Sequence, residues 1–168
     1  MTKIDTTKWK SFMVSDLFSD LIRGSLPIFR NLTEGTTPVI AASMYNQGIT
    51  GYYNVPKKYM NHITVSLNGA GSGYFSYHNY GFAANSDCGI LIERKPLTPN
   101  IALFLCTILN KIGENYGYEE KINKTKLFAE SIKLPIDSLG NPDFAYMETY
   151  MKSIMEQQRG KLELLRRL

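Results

Sequence analysis

Residues 62–77 read HITVSLNGAGSGYFSY, and this stretch decides the fold class. β-Branched residues alternate with others in its first half, which is typical of a strand. Asn68-Gly69 is a strong turn signal, and residues 73–77 have the composition of a strand that returns beside the first. We predict a wide hairpin turn over the glycine-rich residues 69–73. The alternative is a loop that approaches a ligand through its backbone.

More short strands and one helix are predicted around this hairpin. The strand candidates are residues 8–14, 37–42, 48–53, 88–93 and 132–135, with one helical turn at 15–18. Asn100 is expected to cap a helix over residues 101–113, because Ile101, Leu105, Ile108 and Ile112 share one face. The pattern predicts an α+β fold, a compact mixed-sheet domain with few helices over residues 1–141.

The segment 142–168 has a different pattern. Pro142 and Asp143 are typical of a helix start, and one long helix of about 27 residues, roughly 40 Å, is predicted. Heptad spacing is found along the seam Met147, Met151, Ile154, Gln158, Lys161, Leu165 and Leu168. We expect this helix to project and to meet a partner through Met147, Met151, Ile154, Leu165 and Leu168. The alternative is a helix that folds back on its own domain.

Composition excludes several classes of protein. The chain has 168 residues, 43% of them apolar, and a net charge of +4, so it suits one globular core and is only mildly basic. Its most apolar stretch is far shorter than the roughly 20 residues of a membrane span. The N-terminus lacks a signal-peptide core, so we expect a cytoplasmic location, no membrane, and reduced thiols at Cys88 and Cys106.

Signatures of enzymes and metal sites are scarce. The sequence contains no phosphate-binding GxxxxGK[ST], no HExxH and no GxSxG motif, and its two cysteines lack zinc-ligand spacing. Cys88 with His62 or His78 would be the one nucleophile and base to consider, although a cysteine that starts an apolar strand is usually a small buried hydrophobe. We therefore expect no catalysis, no metal and no cofactor.

Four loops combine aromatic, amide and basic side chains. They lie around residues 43–47, 52–59, 74–80 and 121–126. Asn, Gln, Ser and Lys are the side chains that contact base edges or phosphates, and tyrosines among lysines suit stacking. Such loops favour a binding module over an enzyme, but they do not by themselves distinguish DNA from a glycan or a protein.

The order of these segments resembles a known family. The pieces are WKSF at 9–12 with DLF at 16–18, PVIAAS at 38–43 with NQGI at 46–49, NHITV at 61–65, NYGY at 115–118, and IKLP at 132–135 followed by GNPDF at 140–144. Together they resemble the target recognition domain of type I restriction–modification specificity (S) subunits, which also occurs in type IIG and type IIB restriction enzymes. One stretch departs from the family pattern: the basic Gly-Arg-Lys of the family is replaced here by Tyr118-Glu119-Glu120-Lys121.

The resemblance implies a half S subunit that recognises one half of a bipartite double-stranded DNA target without catalysis. Its helix would form a homodimer and would dock methyltransferase and restriction subunits. From loop chemistry we predict the DNA-binding residues Ser43, Tyr45, Asn46, Lys57, Lys58, Ser72, Tyr74, Tyr77, His78, Lys121, Asn123 and Lys124. The lysines would hold phosphates, and the other side chains would face bases. A glycan- or protein-binding module that uses the tyrosine-rich loops is the alternative.

Overall fold

The computed structural model of the chain describes residues 4–26, 32–69 and 71–166. Short strands dominate the first half, and helices dominate the second. In chain order the elements are β1 (Lys10–Met13), α1 (Val14–Leu17), β2 (Phe18–Arg23), β3 (Glu34–Ile40), a 3₁₀ turn (Asn46–Gly48), β4 (Ile49–Tyr53), β5 (His62–Ser66), β6 (Phe75–His78), β7 (Ala83–Ala84), β8 (Cys88–Glu93), α2 (Pro99–Gly113), α3 (Lys124–Ala129), β9 (Ser131–Leu134) and α4 (Phe144–Leu165).

The strands form three small sheets. A four-stranded antiparallel sheet has the order β2-β8-β5-β6, and the predicted hairpin is its β5–β6 edge, with Val65 opposite Phe75. A three-stranded sheet has the order β4-β3-β7, in which β3 and β7 run parallel. Strands β1 and β9 pair antiparallel and form the third sheet. The predicted α+β class, a mixed-sheet domain with a long C-terminal helix, is confirmed.

The four-stranded sheet is covered on both faces, and β8 shows how. Leu91 belongs to a large core that β5, β6 and α2 enclose, whereas Cys88 and Ile90 belong to a smaller core with Ile40 and Phe82. Successive side chains of a strand point to opposite faces, so one strand serves both cores. This arrangement explains the continuous apolar run CGILIE, because a strand buried on both faces has no solvent face to mark by alternation.

Helix α2 lies against the large core, but its cap differs from the prediction. Asn100 was expected to cap it, whereas Thr98 is the cap, and the Thr98 hydroxyl accepts a hydrogen bond from the Ile101 amide at 3.3 Å. Pro99 then occupies the first helical position, where its missing N–H costs nothing. The Asn100 amide instead donates to the Glu148 carboxylate on α4 at 2.7 Å.

The start of α4 belongs to the domain and not to a projecting seam. The Asp143 carboxylate caps it by accepting from the Tyr146 amide at 2.9 Å. Met147 is fully buried in the large core, so the prediction that it meets a partner is wrong, and Met151 packs half-buried against the same core. Ile154 is half-buried, and Leu165 is exposed. Leu168 lies outside the described residues.

Candidate nucleic-acid interface

The loop of residues 41–48, which joins β3 to β4, is held by its own main chain. The Ala41 amide donates to the Gly48 carbonyl at 2.9 Å, and the Gly48 amide donates to the Tyr45 carbonyl at 2.9 Å. The Ser43 hydroxyl accepts a hydrogen bond from the Tyr45 amide at 3.1 Å. The backbone is therefore well defined, while the side chain of Tyr45 is 77% exposed.

Three consecutive residues at the tip of this loop have positive φ angles. The values are 47° for Asn46, 53° for Gln47 and 81° for Gly48. Glycine adopts this region freely and asparagine tolerates it, but glutamine is seldom found there. Backbone strain of this kind is concentrated at functional sites, where the surrounding structure fixes it.

A cleft of about 670 Å³ opens beside the loop. Three tyrosines, two amide side chains and one lysine converge on it. Its lining residues are Thr36, Pro38, Met44, Asn46, Gln47, Ile49, Tyr52, Lys57, Tyr74, Tyr80 and Gly81. The stem of Lys57 lies over Gly81, where an added Cβ would come within 2.7 Å of the Lys57 Cδ, so the glycine makes room for the lysine.

A buried histidine positions one of these tyrosines. The His78 Nδ1 lies 2.9 Å from the Tyr80 hydroxyl, and its Nε2 lies 2.9 Å from the Thr64 hydroxyl. A neutral ring satisfies both contacts when Nε2–H donates to Thr64 and Tyr80 donates to Nδ1. Burial lowers the pKa of His78 to about 4, which keeps the ring neutral at physiological pH. Burial, together with the neighbouring Tyr52, raises the pKa of Tyr80.

The glycine-rich turn between β5 and β6 joins two of the loops. A Cβ on Gly71 would lie 3.2 Å from the Met44 amide nitrogen, so this turn packs directly on the 41–48 loop. On its other side, the Ser72 hydroxyl accepts a hydrogen bond from the Ile122 amide at 3.1 Å. The turn therefore links the cleft to the basic residues 121–126.

Most charges of that basic segment are already engaged. The ammonium of Lys124 lies 2.7 Å from the Asp20 carboxylate, and Lys126 is paired with Glu120. The side-chain oxygen Oδ1 of Asn123 caps α3 by accepting from the Lys126 amide at 3.0 Å. Lys121 lies over the Tyr118 ring, 5.9 Å from its centroid. The segment thus carries a smaller free positive charge than its sequence indicates.

The predicted DNA-binding residues fall into three groups. The structure brings Asn46, Lys57 and Tyr74 together in the cleft, with Ser43 and Tyr45 on the adjoining loop. Lys58, Lys121, Asn123 and Lys124 are exposed but lie outside the cleft lining, and Lys58 donates to the Ser25 hydroxyl at 2.8 Å.

The third group is buried. Ser72, Tyr77 and His78 are between 0% and 8% exposed, so the prediction that they face bases is corrected. The physical reason is that both faces of the β6 edge are covered: Tyr77 enters the large core, and His78 contacts Phe82 with 4.9 Å between ring centroids. Tyr77 packs in the core, His78 positions Tyr80, and Ser72, which precedes β6, accepts the hydrogen bond from the Ile122 amide.

Sequence reasoning did not assign Gln47, Tyr52 and Tyr80 to the site, although all three line the cleft. Their signal was present, because each lies in one of the polar and aromatic loops. Hydrogen-bonding side chains beside tyrosine rings suit recognition of a flat, edge-functionalised ligand such as a nucleobase.

Neither cysteine is placed for nucleophilic chemistry. Both are buried, and burial raises the pKa of the Cys88 thiol and of the Cys106 thiol to about 12. Within the described ranges, no three His, Cys, Asp or Glu side chains are grouped closely enough to hold a metal ion. None of the helices in the described part of the chain has the length and apolarity needed to span a bilayer.

Comparisons with known proteins agree with the sequence resemblance. The S.BcgI specificity subunit of a type II restriction enzyme from Heyndrickxia coagulans is 27% identical over 157 residues, which cover 91% of this chain and 45% of that protein. The type I restriction–modification S subunit from M. genitalium superposes with a TM-score of 0.64 at 19% identity, over 79% of this chain and 36% of that one. A type I R–M structure described for complex assembly and conformational transition gives a TM-score of 0.60 at 18% identity, over 97% of this chain and 43% of that one.

The chain spans less than half the length of these relatives, and the solved structures establish the shared fold. The match that identifies the family is the sequence model of the type I restriction modification DNA specificity domain, which covers residues 6–164. By that match over nearly its whole length, the chain belongs to the family of type I restriction–modification DNA specificity domains.

Proposed function

We propose that this domain binds double-stranded DNA sequence-specifically and recognises one half of a bipartite target. The observation that carries the proposal is the convergence of amide, tyrosine and lysine side chains in the cleft beside the 41–48 loop. An exposed loop with a fixed backbone suits insertion into a groove, where base edges carry the sequence information. The family's description as a DNA specificity domain supports this assignment.

We further propose that the domain has no catalytic activity of its own and acts by directing partner subunits. The two buried thiols and the neutral, hydrogen-bonded His78 support this view, because none of them offers an accessible nucleophile or base. The partners would be methyltransferase and restriction subunits, as the solved type I R–M assembly suggests by its similarity. The distal half of α4, with Met155, Leu162 and Leu165 exposed, is the surface proposed for pairing with a second copy or with such a subunit.

A salt titration of DNA affinity tests the binding proposal. Exchange of Lys57 and Lys58 for alanine should weaken binding to all duplexes alike and should reduce the slope of log K against log salt by about 2, because each phosphate contact contributes about 0.9 to that slope. Fluorescence anisotropy of a labelled duplex, across a series of salt concentrations, measures both quantities.

The matched control exchanges Lys133 and Lys152, two exposed lysines outside the cleft lining and the heptad seam, for alanine. Net charge changes equally in both variants, so the control should keep the original slope. Affinity that does not fall with salt would argue for a neutral ligand such as a glycan. Loss of base preference at unchanged affinity in the Lys57 and Lys58 variant would mean that these lysines contact bases.

A further inference from the structure

We propose that Gln47 is a specificity-determining residue of this domain and that it recognises an adenine in the major groove. The inference rests on the proposed function and adds a base and a residue to it. It is carried by the conformation of Gln47, by the hydrogen-bond state of the neighbouring amide, and by the composition of the cleft.

The backbone presents Gln47 at the exposed tip of a rigid loop. Its φ of 53° lies in the left-handed region, and the hydrogen bonds between Ala41, Tyr45 and Gly48 hold the loop in that shape. A Cβ on Gly48 would meet the Ile40 Cγ2 at 3.0 Å and the Ala41 carbonyl at 3.1 Å, so the next residue also keeps the loop closed. The backbone of the loop therefore needs little reordering on binding, and only the side-chain torsions of Gln47 have to be fixed.

The side-chain amides of Asn46 and Gln47 differ in the hydrogen bonds that they already make within the protein. The Asn46 amide nitrogen is within 3.5 Å of the Ile49 carbonyl, so one of its two hydrogens already has an internal contact. Gln47 is exposed, and among residues 4–26, 32–69 and 71–166 its side chain has no hydrogen-bond partner. It keeps both an acceptor and a donor, which is the pair needed to bridge the N6 and N7 of adenine.

The surroundings of Gln47 are those of a base-contacting side chain. Lys57 supplies positive charge in the same cleft, and Tyr74 and Tyr80 supply aromatic faces. The minor groove shows A·T and T·A pairs as nearly equivalent, whereas the major groove distinguishes all four base pairs and is wide enough for protein elements. An amide that selects adenine therefore acts from the major groove.

Selection from a randomised duplex library with the full chain tests this inference. The unmodified chain should enrich a motif in which one position prefers adenine by about 5- to 140-fold, the range expected for a good bidentate contact. Gln47→Ala should reduce the preference at that position alone to about twofold. Gln47→Glu should move it toward cytosine, because a carboxylate accepts from the cytosine N4 amine.

Gln157→Ala is the matched control, since Gln157 is an exposed glutamine on α4 outside the heptad seam and should leave every position of the motif unchanged. Thermal unfolding at the original temperature would show that the Gln47 variants remain folded, as expected for an exposed side chain. A motif that persists in Gln47→Ala, or that weakens evenly at all positions, overturns the role of Gln47 while sequence-specific binding stands. No enriched motif for the unmodified chain overturns the proposed function itself, and this inference with it.

Discussion

His78 shows how a buried polar residue supports a half-buried one at the wall of the cleft. Its two ring nitrogens hold the hydroxyls of Thr64 and Tyr80, both at 2.9 Å. Burial without these partners would leave unsatisfied polar atoms, which costs about 1–3 kcal/mol per group. The same contacts fix the ring of Tyr80 at the wall of the cleft, so a residue of the interior shapes the recognition surface.

We expect the stability of the protein to fall between pH 6.5 and pH 4 in part because of His78. Its pKa is about 4 in the folded chain and about 6.5 when unfolded, so the unfolded chain binds the extra proton in this window. The loss should reach roughly 3 kcal/mol at pH 4. Urea unfolding across this pH range should show a flatter pH dependence for His78→Gln than for the original chain, and parallel curves would contradict the assignment.

His62 provides a control, because its pKa is shifted in the opposite direction to that of His78. A hydrogen bond from its ring to Glu93, at 3.0 Å, raises the pKa of His62 despite partial burial. Its stabilising contribution is therefore complete below pH 6.5 and is lost as the pH rises through the raised pKa. His62→Gln should lose stability chiefly at acidic pH and should leave the slope between pH 6.5 and pH 4 unchanged.

The sequence indicated which residue types form the site but not which of them are exposed. Tyr74, Tyr77 and His78 lie within five residues and have similar chemistry, yet only Tyr74 lines the cleft. All four residues of β6 are buried because other elements cover both of its faces. Burial on the second face depends on the three-stranded sheet, which is a long-range contact that local pattern does not contain.

The end of α2 is fixed by a backbone contact with the glycine-rich turn. A Cβ on Gly113 would lie 1.9 Å from the Gly73 carbonyl oxygen, and Gly73 itself has a φ of 89°. At this crossing, two main chains approach more closely than any side chain allows. The contact joins the helix of the large core to the turn that carries Ser72 and packs on Met44.

Gly113→Ala should destabilise the domain by roughly 1–3 kcal/mol, the usual cost of inserting an extra carbon into a packed position. This loss of stability is opposite in sign to the general rule, because alanine within a helix is normally more favourable than glycine by about 1 kcal/mol. Urea unfolding measures the difference. An unchanged or raised midpoint would show that the turn can move away from α2.

Gly160→Ala is the same substitution in open surroundings, since no described atom outside its own stretch of α4 lies within 4 Å of the added Cβ. We expect it to follow the general rule and to increase the helix content of the distal part of α4. Far-ultraviolet circular dichroism and amide exchange of residues 156–165 would detect the gain. Comparison of Gly113→Ala with Gly160→Ala therefore separates the effect of packing from that of helix propensity.

Elements with a strong local sequence pattern were predicted, whereas elements without one, such as β2 and α3, were missed. The bounds of β8 agree with the prediction at both ends. Strand β2 was not predicted because Ser19 and Asp20 interrupt its apolar pattern, and it forms by pairing with β8 around an irregularity between Phe18 and Asp20. Helix α3 has six residues and one buried side chain, Leu127, too little for a periodicity to show.

Helix α4 is attached to the domain by polar contacts as well as by Met147. The Glu148 carboxylate accepts hydrogen bonds from the Thr98 hydroxyl and the Asn100 amide at the start of α2, and these bonds lower the pKa of Glu148. The first turns of α4 therefore have a fixed direction relative to the sheets. All of residues 155–165 are exposed, so the predicted seam is divided between an inner half up to Ile154, which contains the contacts with the domain, and an outer half beyond it.

If the outer half of α4 pairs two copies of the chain, Leu162→Glu should shift the solution mass from near twice 19.1 kDa to that of a monomer. A charge on the apolar face of a helix pair is left unpaired and buried, which opposes association. Light scattering measures the mass directly. Leu164→Glu is the control, because Leu164 is similarly exposed, 65% against 56%, but lies roughly 200° around the helix from Leu162.

A dimer that persists in Leu162→Glu, or that is lost equally in both variants, would contradict pairing through this face. A monomer for the original chain would leave the outer half of α4 to a different subunit. In neither case would the domain itself be disturbed, because Met147, Tyr150 and Met151 lie on the inner half and remain in contact with the large core.

The main-chain closure of the 41–48 loop has an evolutionary consequence. Its shape depends on backbone hydrogen bonds and on Gly48, whereas the side chains of residues 45–47 contribute little to the core. Mutations at those three positions can therefore accumulate at little cost to the core, apart from β-branched residues at the positive φ of positions 46 and 47, and the fold can acquire new targets by drift. The loop behaves as an interchangeable cassette on a constant frame, and the same property makes it a practical place to graft altered specificities.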